Sequence, residues 1–168
     1  MALVVWMTHA RATAKLVFLD MDGVLNTRES MRRARVENIY PPENPFFYTV
    51  DVGCVHRLRD VVVTAGAKLV ITSSWRHSGL HPVIHALEWA GWHRPPIIGH
   101  TSFDELLRGH QIEAWLKGFD EKVEKYAILD DDADMLPAQE PFFIHVKYGL
   151  SAGGFLNEHA ERLKELLR

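Results

Sequence analysis

Residues 15–23 read KLVFLDMDG: an apolar run that closes on Asp20, with a second acid at Asp22 and a glycine at Gly23. A short apolar segment cut off by a turn is the pattern of a strand buried on both faces, as in a parallel sheet. Asp20 is therefore expected where the strand leaves the sheet, and Gly23 where the chain turns sharply.

The same pattern recurs downstream. Residues 68–72, KLVIT, end in the hydroxyl cluster Thr72, Ser73 and Ser74, and residues 126–129, YAIL, run into Asp130, Asp131 and Asp132. Shorter apolar stretches at 97–99 and 142–146 predict two further strands. Helical periodicity fills the gaps. Val55, Leu58, Val62 and Ala65 share one side of residues 52–65, with Gly66 placed as a stop. Residues 82–90 close on Gly91, and residues 155–167 form an amphipathic terminal helix. Ile112, Trp115, Leu116 and Phe119 make a core-facing stripe over residues 111–119. Alternating strands and helices predict an α/β fold: a three-layer, Rossmann-like parallel sheet with helices on both faces. One interruption stands out. Residues 26–47 are rich in arginine and then in proline (Pro41, Pro42, Pro45), which suggests a minimal cap insertion at about 26–50, with one short helix and a loop. The expected organisation is an extension over residues 1–14 and a single domain over 15–168.

Composition narrows the class. The 168 residues, 47% hydrophobic and 24% charged, suit one soluble globular domain. No apolar run approaches the roughly 20 residues that cross a bilayer, and the opening residues lack a secretion signal's basic segment. The single Cys54 has no partner for an internal disulfide and suits a reducing, cytoplasmic setting, as a small buried apolar residue. A net charge of −3 speaks against nucleic-acid binding through bulk charge and leaves room for a local basic groove. No glycine-rich P-loop is present, and no feature selects a protein partner. The ten histidines include His77, His81 and His85 at helical spacing, but they lack the acid or thiolate that would make a zinc site.

In open parallel sheets, ligands gather at the carboxyl ends of the strands. Here Asp20, the Thr72–Ser73 pair and Asp130–Asp131 are all expected at that edge. Of the paired acids Asp20 and Asp22, one carboxylate can attack phosphorus in line while the other protonates the leaving oxygen and later deprotonates water. Neighbouring carboxylates repel unless a cation sits with them or one holds a proton, and oxygen-only ligation with Asp130 and Asp131 suits Mg²⁺. Thr72 and Ser73 can hydrogen-bond phosphoryl oxygens. A protein cation should complete the site; Arg108 at the head of a helix is the first candidate, with Lys117 and Lys125 as alternatives.

These segments resemble a known group. DMDGVLN at Asp20 to Asn26, ITSSW at Ile71 to Trp75 and ILDDD at Ile128 to Asp132 are similar, in order and spacing, to the first, second and fourth motifs of the haloacid dehalogenase-like (HAD) phosphatases. The resemblance implies Asp20 as nucleophile, Asp22 as general acid/base, Thr72 and Ser73 as phosphate binders and Asp130 as a direct metal ligand. Asp131 would ligate through water or stand behind the metal, and the Asp22 carbonyl would join the shell. The third motif, a loosely placed Lys or Arg, falls on Arg108. RGHQIEAWL from Arg108 and TSSWR ending at Arg76 are similar to stretches in nearly capless members, which include polynucleotide 3′-phosphatase domains.

The expectation is thus a magnesium-dependent phosphomonoester hydrolase working through an aspartyl-phosphate on a nucleotide or nucleic-acid terminal phosphate. The alternatives are a small-metabolite phosphatase and a non-catalytic module that binds phosphorylated ends. Arg76, with Arg28 and Arg32 on the insertion, is expected to grip substrate. Trp75 is expected as a packing wall or a stacking surface for a base.

Overall fold

The computed structural model describes residues 13–37, 49–147 and 153–168. Five parallel strands, β1 (Thr13–Leu19), β2 (Lys68–Ile71), β3 (Ile97–His100), β4 (Lys122–Asp130) and β5 (Phe143–His145), form one sheet in the order β3-β2-β1-β4-β5. Helices α1 (Arg28–Glu37), α2 (Val52–Ala65), α3 (His81–Trp89), α4 (Arg108–Gly118) and α5 (Asn157–Leu167) connect and cover it. Among the described residues, no helix is long and apolar enough to cross a membrane.

Side chains alternate across β1 with the period of a strand. Val17 and Leu19 face one core with Val55, Leu58 and Val62 of α2, Ala86 and Leu87 of α3, and Leu163 of α5. Leu16 and Phe18 face the other, with Ile112 of α4 and Ile128 of β4. Phe18, fully buried, meets Trp115 edge-on at 5.5 Å and Tyr126 at 6.1 Å. Helices therefore lie on both faces, and the stripe on α4 is core.

Strand limits differ from expectation where the sequence is polar. Thr13 and Ala14, expected in a leading extension, pair with Lys122 and Val123 across a register shift. β4 begins four residues before the apolar run at Tyr126, because its first half pairs only with β1 and leaves Lys122, Glu124 and Lys125 exposed. α4 starts at Arg108, ahead of its apolar stripe. In the insertion, α1 supplies the expected short helix; residues 38–48, with the proline cluster, lie outside the described residues, as do residues 1–12.

Phe18→Ala should lower the unfolding free energy by about 3–5 kcal/mol, read from urea denaturation, while Val63→Ser at a position 63% exposed should change it by about 0.5 kcal/mol or less.

Candidate active site

Strand order decides where the site lies. The chain runs outward from β1 through β2 to β3, then returns to the other side of β1 with β4, so β1 and β4 flank the point where the winding reverses. Just past the strands, the ladder continues by one rung on each side of β1: the Asp20 N–H donates to the Leu129 carbonyl and the Thr72 N–H to the Leu19 carbonyl, both at 2.9 Å. These bonds fix Asp20 between Thr72 and Asp130. Asp20, Thr72, Ser73 and Asp130 are all buried.

Arg108 reaches this point from the first turn of α4. Its Nη1 lies 3.1 Å from Asp20 Oδ1, 3.2 Å from Thr72 Oγ1 and 2.8 Å from Asp130 Oδ2. Lys117 instead pairs with Glu113 on the outer face of α4, and Lys125 is exposed on β4. Of the three candidate cations, Arg108 is the one brought to the carboxylates. Helix α4 has no cap from its own Leu107; Asp134 substitutes, its Oδ2 accepting from the Arg108 N–H at 3.0 Å.

The acids form a tight group. Oxygens of Asp20, Asp130 and Asp131 lie within 4.8 Å of one another. Burial raises Asp20 against the opposing pull of Arg108. Burial, reinforced by the charge of Asp20, pushes Asp130 up to about 8 and Asp131 to about 6. Gly23 permits the close approach: its φ is 75°, and a Cβ there would come within 2.4 Å of the Asp131 carboxyl.

Asp22 stands apart from that group, exposed, with both oxygens held by neutral donors. Asn26 Nδ2 donates to Oδ1 at 2.6 Å, and Trp75 Nε1 donates to Oδ2 at 2.9 Å. Neither donor was expected in this role. Asn26 closes the DMDGVLN segment, four residues from Asp22, whereas Trp75 closes ITSSW and reaches Asp22 from 53 residues away. The Ser73 hydroxyl accepts from the Trp75 N–H at 3.4 Å, opening the 3₁₀ turn at residues 74–78.

Arg76, expected at the substrate, is only 5% exposed and turned inward. Its Nη1 donates to the carbonyls of Thr72 and Ser73, Nε to the Thr101 carbonyl at 3.0 Å, and Nη2 to Gln111 Oε1 at 2.8 Å and the Ser102 carbonyl at 3.3 Å. Burial and the like charge of Arg108 lower it to about 10. The reason is a concentration of acceptors: the turns after β2 and β3 bring four carbonyls to one place, and a guanidinium with five N–H groups can bond them together. Arg28 and Arg32 lie exposed on α1, Arg32 paired with Glu29 at 2.8 Å, so the three arginines do not form one lining. Cys54 is buried in the core, and burial pushes its thiol up to about 11.

The donors fit a hard divalent cation. Three carboxylates face one guanidinium, leaving two negative charges when all ionise. Although Arg108 pairs with it in charge, Asp130 Oδ2 receives no hydrogen bond inside the protein. That oxygen, charge-paired yet free of a hydrogen bond, is open to a hard cation shared with Asp20 and Asp131.

A family model described as the HAD domain in Swiss Army Knife RNA repair proteins matches residues 16–158. The chain belongs to this family. It is a phosphatase of the HAD superfamily, and its five-stranded parallel sheet is the superfamily's Rossmann-like fold. No curated protein and no solved structure matches the chain significantly. The matched region runs from Leu16 within β1 through β5 to the start of α5, and so contains every side chain of the candidate site described above.

The raised Asp130 and Asp131 predict how stability depends on pH. An unfolded chain ionises these acids near 3.8, whereas the folded, metal-free protein keeps Asp130 protonated to about 8 and Asp131 to about 6. Between those limits the folded state binds more protons, so stability falls as pH rises. The melting temperature in EDTA should drop between pH 5 and pH 8, and Asp130→Asn should flatten that slope. Added Mg²⁺ should stabilise more at pH 8 than at pH 5, since it competes with protons for the same oxygens.

Proposed function

We propose that this site hydrolyses a terminal phosphomonoester of a nucleic-acid strand in two steps through an aspartyl-phosphate on Asp20. The observation that carries the reaction is the convergence of Asp20, Asp130 and Asp131 within 4.8 Å, bridged by Arg108. The substrate class is supported by the family's description, which concerns RNA repair proteins.

In the first step a carboxylate oxygen of Asp20 bonds to phosphorus as the ester P–O bond breaks, and Asp22 gives its proton to the departing oxygen. In the second, Asp22 takes a proton from water, whose oxygen bonds to phosphorus as the Asp20–phosphorus bond breaks. Inorganic phosphate leaves and Asp20 is restored. Arg108 and the Thr72 hydroxyl, which already meet at 3.2 Å, bind the phosphoryl oxygens and offset the charge spread over them, with Ser73 beside them. Mg²⁺ would be held by Asp20, Asp130 and Asp131, with the Asp22 carbonyl, and supplies the positive charge that lets an anionic phosphate approach anionic side chains. Asn26 and Trp75 aim Asp22, each holding one oxygen.

Asp20→Asn should reduce phosphate release by on the order of 10⁴-fold or more while leaving circular dichroism unchanged, and EDTA should abolish turnover reversibly. Within a panel of 3′- and 5′-phosphorylated oligoribonucleotides, mononucleotides and sugar phosphates, the 3′-phosphorylated strand should give the highest kcat/KM. Preference for sugar phosphates would favour a small-metabolite phosphatase; strand binding without any turnover would favour an end-binding module.

Trp75→Phe keeps the ring but removes the donor to Asp22. A hydrogen bond to a charged acceptor contributes about 1.5–3 kcal/mol, so single-turnover phosphorylation of Asp20 by an oligonucleotide should slow by roughly 10- to 100-fold. With p-nitrophenyl phosphate, whose leaving group needs no proton, the loss should be much smaller. Equal losses on both would mean that Trp75 does not act through the acid role of Asp22.

A further inference from the structure

We infer that His77 and Phe103 form a nucleobase-stacking subsite, which receives a base from the last two nucleotides of the strand whose terminal phosphate faces Asp20. The inference rests on the nucleic-acid reading above and adds where the strand is gripped.

Both residues sit just past strand ends on the active-site edge, His77 in the turn after β2 and Phe103 in the loop after β3. The Phe103 ring takes the Arg76 guanidinium 4.3 Å from its centroid and the His77 ring at 3.9 Å, nearly parallel at 14°. Two planar groups at those separations cannot share one face of a ring without overlapping, so they lie on opposite faces. The order is Arg76, Phe103, His77: a column of flat groups with a buried root and an open end. Arg76 is 5% exposed, Phe103 42% exposed, and His77 exposed at the tip.

The root of the column is bonded to the phosphoryl site. Arg76 Nη1 donates to the Thr72 carbonyl, and Thr72 Oγ1 in turn accepts from Arg108 Nη1 at 3.2 Å. One residue, Thr72, thus joins the stack to the cation that meets Asp20.

Exposed apolar surface also concentrates here. Leu106 is 95% exposed and Leu107 45%, in the loop that runs from Phe103 to Arg108. Single exposed apolar residues need no explanation, but a cluster beside a catalytic edge marks a contact surface. A flat, tilted-open aromatic end selects a flat ligand, and every base offers a π-face regardless of sequence. Charge is a poor grip at this place: the chain carries a net −3, Arg76 is internal, and Arg32 is paired on α1. Stacking supplies a hold on the strand that the inward-turned Arg76 does not.

The test compares wild type, His77→Ala and His77→Phe on a 3′-phosphorylated oligoribonucleotide, on the same strand abasic at its last two positions, and on p-nitrophenyl phosphate. His77→Ala should raise KM on the intact strand about tenfold, with kcat/KM on the strand falling relative to that on p-nitrophenyl phosphate by the same factor. His77→Phe, which retains a flat ring, should restore it, and on the abasic strand wild type and His77→Ala should match. If wild type prefers the intact strand to the abasic one while His77→Ala behaves like wild type on both, the base is held elsewhere and the subsite is wrong. An equal loss on p-nitrophenyl phosphate would also overturn it, as a structural effect. A wild type that prefers sugar phosphates to either strand would instead remove the nucleic-acid reading on which the subsite rests.

Discussion

Buried carboxyl groups gather only where a cation or a bound proton offsets their repulsion, and the structure is organised around meeting that requirement at the β1–β4 crevice. Asp20 and Asp130 lose most of their water, and at short range their repulsion grows as the local dielectric falls. Arg108 answers both at once. Its own position then becomes critical, and it is an awkward one, because a cation at a helix N-terminus opposes the helix dipole. Asp134 offsets this by capping the Arg108 N–H from the loop beyond β4. Gly109 lets the helix start close to that loop; a Cβ there would come within 2.6 Å of the Leu136 nitrogen. The fourth strand therefore supplies the acids at its end and, four residues later, the anchor for the cation that neutralises them.

Adjacent residues of the turn after β2 serve opposite directions. Trp75 points its indole N–H out to Asp22, while Arg76 points its guanidinium in to the carbonyls of Thr72, Ser73, Thr101 and Ser102. The tight 3₁₀ winding of residues 74–78 separates the two side chains within one step of chain. Since Arg76 also holds Gln111 of α4, the turn that positions Asp22 is braced against the helix that delivers Arg108. Displacing either residue would be felt on both sides of the site.

The parallel sheet and the location of its acids could be read from sequence because burial on both faces leaves continuous apolar runs, and those runs end where the chemistry begins. Asp20, Thr72 and Asp130 all follow such a run. What could not be read were features set by contact between distant segments. Lys122 to Lys125 is mostly polar, yet it is strand, since it pairs with β1 while Lys122, Glu124 and Lys125 stay in water. Arg76 lies two residues past the hydroxyl cluster proposed to bind phosphate, which suggested a substrate contact. Sequence adjacency carries no direction, and the carbonyls that turn the side chain inward belong partly to a loop 25 residues away. The Trp75 donor on Asp22 was hidden for the same reason, since it comes from 53 residues away.

Two acids one residue apart can take different parts in a reaction only if their surroundings differ. Asp20 is 4% exposed, faces a guanidinium and belongs to the group that fits a divalent cation. It is poorly placed to exchange protons with water and well placed to be held as a fixed oxygen behind phosphorus. Asp22 is exposed and touches two neutral donors, so it keeps the solvent path that the proposed acid/base role requires. The turn at Gly23 produces this division. By bringing the loop against Asp131, it draws Asp20 into the acidic cluster and leaves Asp22 on the rim, where the second acid meets the proposed leaving group and the incoming water.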